Sequence, residues 1–240
     1  MKTIRNLLFL VALAPVFFIS CNDDKDDNTY GISVGMVENP DGKNQFFIDT
    51  DKGNRLFVKE SRVPYTPKDS QRVVTRFVIL SEKEAGSGYN YDVALFDYYN
   101  ILTKNIFNIT SATQDSIGND PISISDVWVS NDYLNVEFNY LGYSRSHFIN
   151  LVSDSEKTYD DGKVHLEFRH NANGDMANRW FWGIASFNLK TLQEEGKTSL
   201  DLVIHNQNYD GVRTYERKYT FGEALEQTSL EIDQDQGIIE

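Results

Sequence analysis

Residues Arg72–Leu80 read RVVTRFVIL, the strongest strand pattern in the N-terminal half of the chain. Val74, Val78 and Leu80 fall on one face of an extended segment, and Val73, Phe77 and Ile79 on the other. Apolar residues on both faces predict a strand closed into a small barrel. Upstream lie three shorter β-rich runs, Tyr30–Val37 (YGISVGMV), Gln45–Asp49 (QFFID) and Arg55–Glu60 (RLFVKE). Asn39-Pro40-Asp41-Gly42 and Asp51-Lys52-Gly53-Asn54 separate them, so the segment reads as a meander of hairpins. Val63–Gln71 (VPYTPKDSQ) then carries two prolines, whose missing N–H groups exclude a central strand or a helix interior. After a glycine-containing loop, Tyr89–Tyr98 (YNYDVALFDY) alternates again, with Tyr89, Tyr91, Val93 and Leu95 on one face. Five strands with an irregular connector between the third and fourth predict an OB-like barrel over residues 29–113.

The polar stretch Ser111–Pro121 (SATQDSIGNDP) is the expected domain boundary, because few contacts cross a linker. Beyond it come seven runs: Ile122–Val129, Tyr133–Tyr140, His147–Val152, Lys163–His170, Trp180–Leu189, Leu200–His205 and Thr214–Phe221. In Tyr133–Tyr140, Leu134, Val136 and Phe138 face one way while Asn135, Glu137 and Asn139 face the other, the pattern of a half-buried strand. Such spacing predicts an antiparallel β-sandwich over residues 114–222. Neither module shows a long amphipathic helical pattern, so the expected class is all-β. Residues 223–240 read as an acidic tail.

The N-terminus carries an address. Lys2 and Arg5 precede an apolar run, Leu7–Ile19, that is short for a membrane span and is interrupted by Pro15. Residues 1–20 therefore read as a secretory signal that is removed. Phe18-Ile19-Ser20-Cys21 resembles the lipobox of bacterial lipoproteins, in which the cysteine is acylated and becomes the new N-terminus; the usual leading leucine is Phe18 here. The sequence has this single cysteine, so an exported fold must hold without an internal disulfide. Acyl chains at Cys21 would tether the protein to a membrane. Residues 21–28, with Asp23, Asp24, Asp26 and Asp27, read as a solvated acidic spacer. They also resemble the export signal that sends Bacteroidetes lipoproteins to the outer face of the outer membrane. The expected location is thus the cell envelope, lipid-anchored and surface-exposed.

Charge narrows the partners. The chain carries a formal charge of −13. Loss of Lys2 and Arg5 with the signal lowers that by two, to −15. Nucleic-acid binding draws on Lys and Arg to neutralise phosphates, so a nucleic-acid partner is not expected.

Several segments resemble the NigD-like lipoproteins of Bacteroidetes. They include VPYTPKDSQRV near Val63–Val74, ILTK at Ile101–Lys104, DSIGNDPISISDVWV at Asp115–Val129 and DYLNVEFNY at Asp132–Tyr140. HFINLV at His147–Val152, HLEFRHNA at His165–Ala172 and YDG at Tyr209–Gly211 continue the likeness. The resemblance implies an N-terminal OB-type domain, a C-terminal β-sandwich and a lipid anchor, and it makes an immunity or envelope-interaction role an option. It supplies no catalytic or binding residues. Asp115-Ser116-Ile117 also resembles a Bacteroidetes O-glycosylation tripeptide.

Candidate chemistry is sparse. His165, Glu167 and Arg169 share a strand face opposite Val164, Leu166 and Phe168. Two ligands do not make a zinc site, so the trio reads as a solvated face with a Glu–Arg pair. Asn206–Gly211 (NQNYDG) imitates the start of a calcium loop, but the twelfth position is Arg217 and the surroundings are β; a hairpin turn is the simpler reading. Asp49-Thr50-Asp51 fails as a calcium loop because Gly53 stands where a ligand is needed. No phosphate loop, HExxH pattern or GxSxG elbow occurs. The expectation is a protein without catalytic residues, metal or cofactor. Trp128, Trp180 and Trp182 are the candidate binding aromatics. Trp180 and Trp182 share a face with Ile184, and packing in the core is the default. Exposed instead, they would form a stacking platform for sugars or a hot spot for a protein. The expected partner is a protein or a glycan, engaged by a non-enzymatic binding module.

Overall fold

A computed structural model describes residues 30–64 and 66–222. The signal, Cys21, the acidic spacer and the 223–240 tail lie outside the described residues. Five strands open the fold: β1 (Gly31–Glu38), β2 (Phe46–Thr50), β3 (Arg55–Ser61), β4 (Arg72–Glu82) and β5 (Tyr91–Asn100). They close into a barrel in the order β1-β2-β3-β5-β4. The β3–β5 pairing is parallel and the others antiparallel. Val37, Phe46, Ile48, Leu56, Val58, Val73, Phe77, Val93, Leu95 and Tyr98 fill the interior.

Closure has a different cause from the one the sequence suggests. Val73 and Phe77 are fully buried, whereas Leu80 on the opposite face is exposed. Closure comes from β4 pairing on both edges, with β1 and with β5, and from two bulges against β5 that bend it. At Gly31, a Cβ would lie 2.7 Å from the Phe77 ring, so only glycine lets β1 cross there.

The second unit contains β6 (Leu102–Asn105), β7 (Phe107–Ile109), a single helical turn α1 (Gln114–Ile117), β8 (Ser123–Ser130), β9 (Tyr133–Gly142) and β10 (Phe148–Asp154). It continues with β11 (Val164–Asn171), β12 (Arg179–Asn188), β13 (Ser199–Asn208) and β14 (Gly211–Thr220). A four-stranded sheet, β6-β12-β9-β8, packs on a five-stranded one, β14-β13-β11-β10-β7. Leu134, Val136, Leu151, Leu166, Phe168, Ala185, Phe187, Leu202 and Ile204 are all fully buried between them.

The chain is therefore a barrel followed by a β-sandwich. Antiparallel pairing holds for β8–β9, β9–β12, β10–β11 and β13–β14. It gives way to parallel pairing at β6–β12, β7–β10 and β11–β13. The expected domain break at 113/114 also moves. Sandwich pairing begins at Leu102, immediately after Ile101 donates its N–H to Arg72 O. Residues 111–121 are not a linker but part of the sandwich wall. Asp120 N–H donates to His170 O, the Asp120 carboxylate accepts from Ala172 N–H, and Asn171 Nδ2 donates to Ser116 O. Gly118, at φ 75°, would place a Cβ 2.7 Å from that of Asn171.

Candidate functional site

Strand register brings the three tryptophans onto one surface. In the four-stranded sheet Trp128 pairs with Asn135, Trp182 with Asn139 and Trp180 with Leu141. Paired residues in an antiparallel ladder point the same way, and residues two apart on β9 share a face. All three indoles therefore lie on the outer face. Inward residues of β12, Ala185 and Phe187, are fully buried. Trp180 and Trp182 are 57% and 54% exposed. The default expectation that they pack in the core is overturned, because the smaller Ala185 and the Phe187 ring fit between the sheets and claim the inward face.

These rings are held in place. Trp182 Nε1 donates to Glu137 Oε1 at 2.8 Å. Trp180 meets the Tyr209 ring edge-on, centroids 5.2 Å apart, and the Tyr209 hydroxyl accepts from Leu141 N–H at 2.9 Å. Tyr209 sits in the two-residue turn between β13 and β14, so the calcium-like stretch is a hairpin. Trp128 is half-buried, its Nε1 donating to Asp51 Oδ2 at 2.9 Å.

That last bond reaches across the two units. The Arg72 guanidinium, on the outward face of β4, grips both Asp51 oxygens at 2.6 and 2.7 Å. Its Nη2 also donates to Asn135 Oδ1 at 2.7 Å, which accepts a second bond from Ser186 Oγ at 2.6 Å. Arg72, Asp51, Asn135 and Ser186 are 0–4% exposed. Polar residues on the outer face of the sheet are thus buried where the barrel covers them, and each finds a partner there. Beside this clasp runs a groove of about 320 Å³ lined by Ile32, Ser33 and Val34 of β1, Asp51, Lys52, Asp126, Trp128 and Glu137. Glu137 belongs both to the groove and to the Trp182 anchor, so groove and aromatics form one continuous surface.

The four histidines form two pairs elsewhere on the sandwich. His165 Nδ1 meets His205 Nε2 at 2.9 Å, His165 Nε2 meets Asp161 at 3.0 Å, and Thr214 Oγ1 meets His205 Nδ1 at 3.2 Å. The His165 ring stacks on Tyr159 at 3.5 Å. His147 Nδ1 meets His170 Nε2 at 2.7 Å, His147 Nε2 meets Asp175 Oδ2 at 3.2 Å, and His170 Nδ1 donates to Pro121 O at 3.0 Å. Burial, together with the facing imidazole, holds both His170 and His205 below the usual histidine range. Burial alone would raise Asp175, but the amides of Tyr143, Ser144 and Arg145 and the His147 bond outweigh it and hold the carboxyl well below its usual range. Each carboxylate and its neighbouring imidazole occupy opposite nitrogens of the middle ring, so the donors do not converge on a metal position.

The expected Glu167–Arg169 pair forms, at 2.7 Å from Nε, but with Lys157 also on Glu167 it is mostly buried rather than fully solvated. His165 leaves that trio for His205. Sequence reading missed both pairs because their members are 40 and 23 residues apart. The Asp51–Arg72 clasp carries no local signal either, since in sequence Asp51 belongs to a turn and to a failed calcium-loop pattern. Cys21 lies outside the described residues.

A closed five-stranded barrel joined to a two-sheet sandwich defines a two-unit β protein. Residues 34–101 match the NigD-like N-terminal OB domain, and residues 105–219 match the NigD-like C-terminal beta sandwich domain. The chain belongs to the NigD-like family. It is similar to the crystal structure of a protein of unknown function from Bacteroides vulgatus ATCC 8482, at 29% identity and a TM-score of 0.67, over 80% of this chain and 90% of that one. A structure from Parabacteroides distasonis ATCC 8503, described as a toxin-related protein, is 31% identical with a TM-score of 0.66, over 80% and 93%. A NigD-like immunity protein from Bacteroides caccae ATCC 43185 shares the fold at 16% identity and a TM-score of 0.59, over 80% and 96%. No match is found among curated proteins.

Proposed function

We propose that the protein is a lipid-anchored, surface-exposed envelope protein that holds an external partner, without catalysis, on the outer face of the four-stranded sheet. The observation that carries this is the placement of Trp180 and Trp182, both more than half exposed and both fixed by anchored neighbours. Contiguous exposed aromatics mark interaction sites, and rigid ones lose little freedom on binding. A binding role is favoured over catalysis because the histidine–carboxylate sets are self-satisfied: every ring nitrogen already has a partner within the chain. The membrane tie is assigned to acylated Cys21, followed by its acidic spacer.

A second reading, an immunity or envelope structural role with a polypeptide partner, draws on the likeness to the B. caccae structure described as an immunity protein. One experiment addresses anchor and face together. Cells labelled with palmitate should mark the wild type and not Cys21→Ala. The soluble Cys21→Ala chain should be retained on cell-surface material, and adding Trp180→Ala and Trp182→Ala should abolish retention. Label on Cys21→Ala would remove the anchor, and retention unchanged by the tryptophan replacements would remove the face.

A further inference from the structure

The chemistry around the aromatics distinguishes what the face can hold. The groove lining carries three carboxylates, Asp51, Asp126 and Glu137, against one ammonium, Lys52. Asp51 is spent on Arg72 and Trp128. Glu137 keeps its second oxygen beyond the Trp182 bond, and Asp126 is exposed. Cores of protein–protein interfaces are depleted in Asp and Glu, which does not match a surface where carboxylates sit among the tryptophans. An anionic ligand would meet repulsion here. Hydroxyl groups, by contrast, donate strong charge-assisted bonds to carboxylates.

The indoles point the same way. Trp180 and Trp182 are two residues apart on one strand, so their anchors are spaced by roughly 6.8 Å along it. The Trp182 N–H is already spent on Glu137, leaving its π face as the recognition surface. That face is electron-rich and attracts the polarised C–H face of a pyranose ring. Asn139, paired with Trp182 and with Ser123 across the sheet, adds amide and hydroxyl groups beside it.

We propose that this surface is a platform for an uncharged oligosaccharide, with sugar rings on Trp180 and Trp182 and hydroxyls bonded to Glu137 and Asp126 in the groove. The assignment rests on the reading of this face as the binding surface, and the experiment separates the two. Calorimetric titration of the mature chain uses neutral gluco-, manno-, xylo- and galacto-hexasaccharides beside oligogalacturonate and heparin-derived oligosaccharides. At least one neutral sugar should bind, the anionic ones should bind at least about tenfold more weakly, and Trp180→Ala or Trp182→Ala should each weaken the neutral sugar by roughly tenfold. Glu137→Gln should weaken it while narrowing the discrimination against anions, a readout that mere loss of packing would not give. A preference for the anionic set, indifference to the tryptophan replacements, or no binding in either set overturns the oligosaccharide assignment. Retention on cell-surface material decides the underlying reading separately. Retention that survives protease treatment of that material and needs both tryptophans supports a glycan. Retention that protease destroys but that needs the tryptophans overturns the glycan and leaves the face standing with a protein partner. Retention that ignores them overturns both.

Discussion

Replacing Asp51 by alanine should strip the junction of its central acceptor. The carboxylate takes three side-chain bonds, two from Arg72 and one from Trp128, and Arg72, 2% exposed, is left with the neutral partners Asn135 and Ser186 and the Tyr133 ring 5.2 Å from its guanidinium. Breaking a buried, hydrogen-bonded ion pair by removing one partner costs about 3–5 kcal/mol, because the remaining charge stays desolvated. For a protein of this size that is roughly 6–20 °C in Tm. Differential scanning calorimetry of the mature chain at neutral pH reads it directly. The double replacement Asp51→Leu with Arg72→Met removes the stranded charge while Asn135 and Ser186 still bond each other, so it should be less destabilised than Asp51→Ala alone. A shift under about 2 °C for Asp51→Ala, or a double variant at least as destabilised as Asp51→Ala, would refute the clasp as the structure draws it.

Two further outcomes follow from the geometry. Acid should destabilise the fold in two windows. His170 and His205 are held below the unfolded value of about 6.5, so the unfolded chain binds more protons there and stability falls as pH drops below it. Asp92, its carboxyl held at about 2 chiefly by the Lys83 hydrogen bond, contributes stability present above about 3.9 and lost as pH falls through about 2. Denaturation midpoints flat between pH 7 and 5 would refute the first window. Finally, Gly183→Ala places a methyl 2.7 Å from the Phe138 ring and should cost about 1–3 kcal/mol by urea unfolding, with the tryptophans left in place.

How much of this was legible depends on range. The barrel strands show in sequence because each apolar run is local and is bounded by Gly- and Asn-bearing turns or, between β3 and β4, by the two-proline connector. The edge strands β6 and β7 do not, being only four and three residues long and pairing in parallel with β12 and β10, far along the chain. Their position, not their composition, moves the domain break to Leu102. Trp180–Leu189 (WFWGIASFNL) is apolar on both faces, so periodicity could not say which one is buried. Packing decides it, and the tryptophans lose. Asn135 and Ser186 illustrate the converse: they are polar residues on a solvent-type face, buried because Arg72 arrives from the other unit. No local signal encodes that meeting.

The oligosaccharide platform is tested by acrylamide quenching of tryptophan emission, free and in the presence of protease-treated cell-surface glycan. Trp180 and Trp182 should quench readily in the free chain and be protected on addition of the glycan, with no protection in the Trp180→Ala/Trp182→Ala chain, where only half-buried Trp128 remains. Quenching unchanged by the glycan fraction, or protection that persists in the double variant, would contradict it.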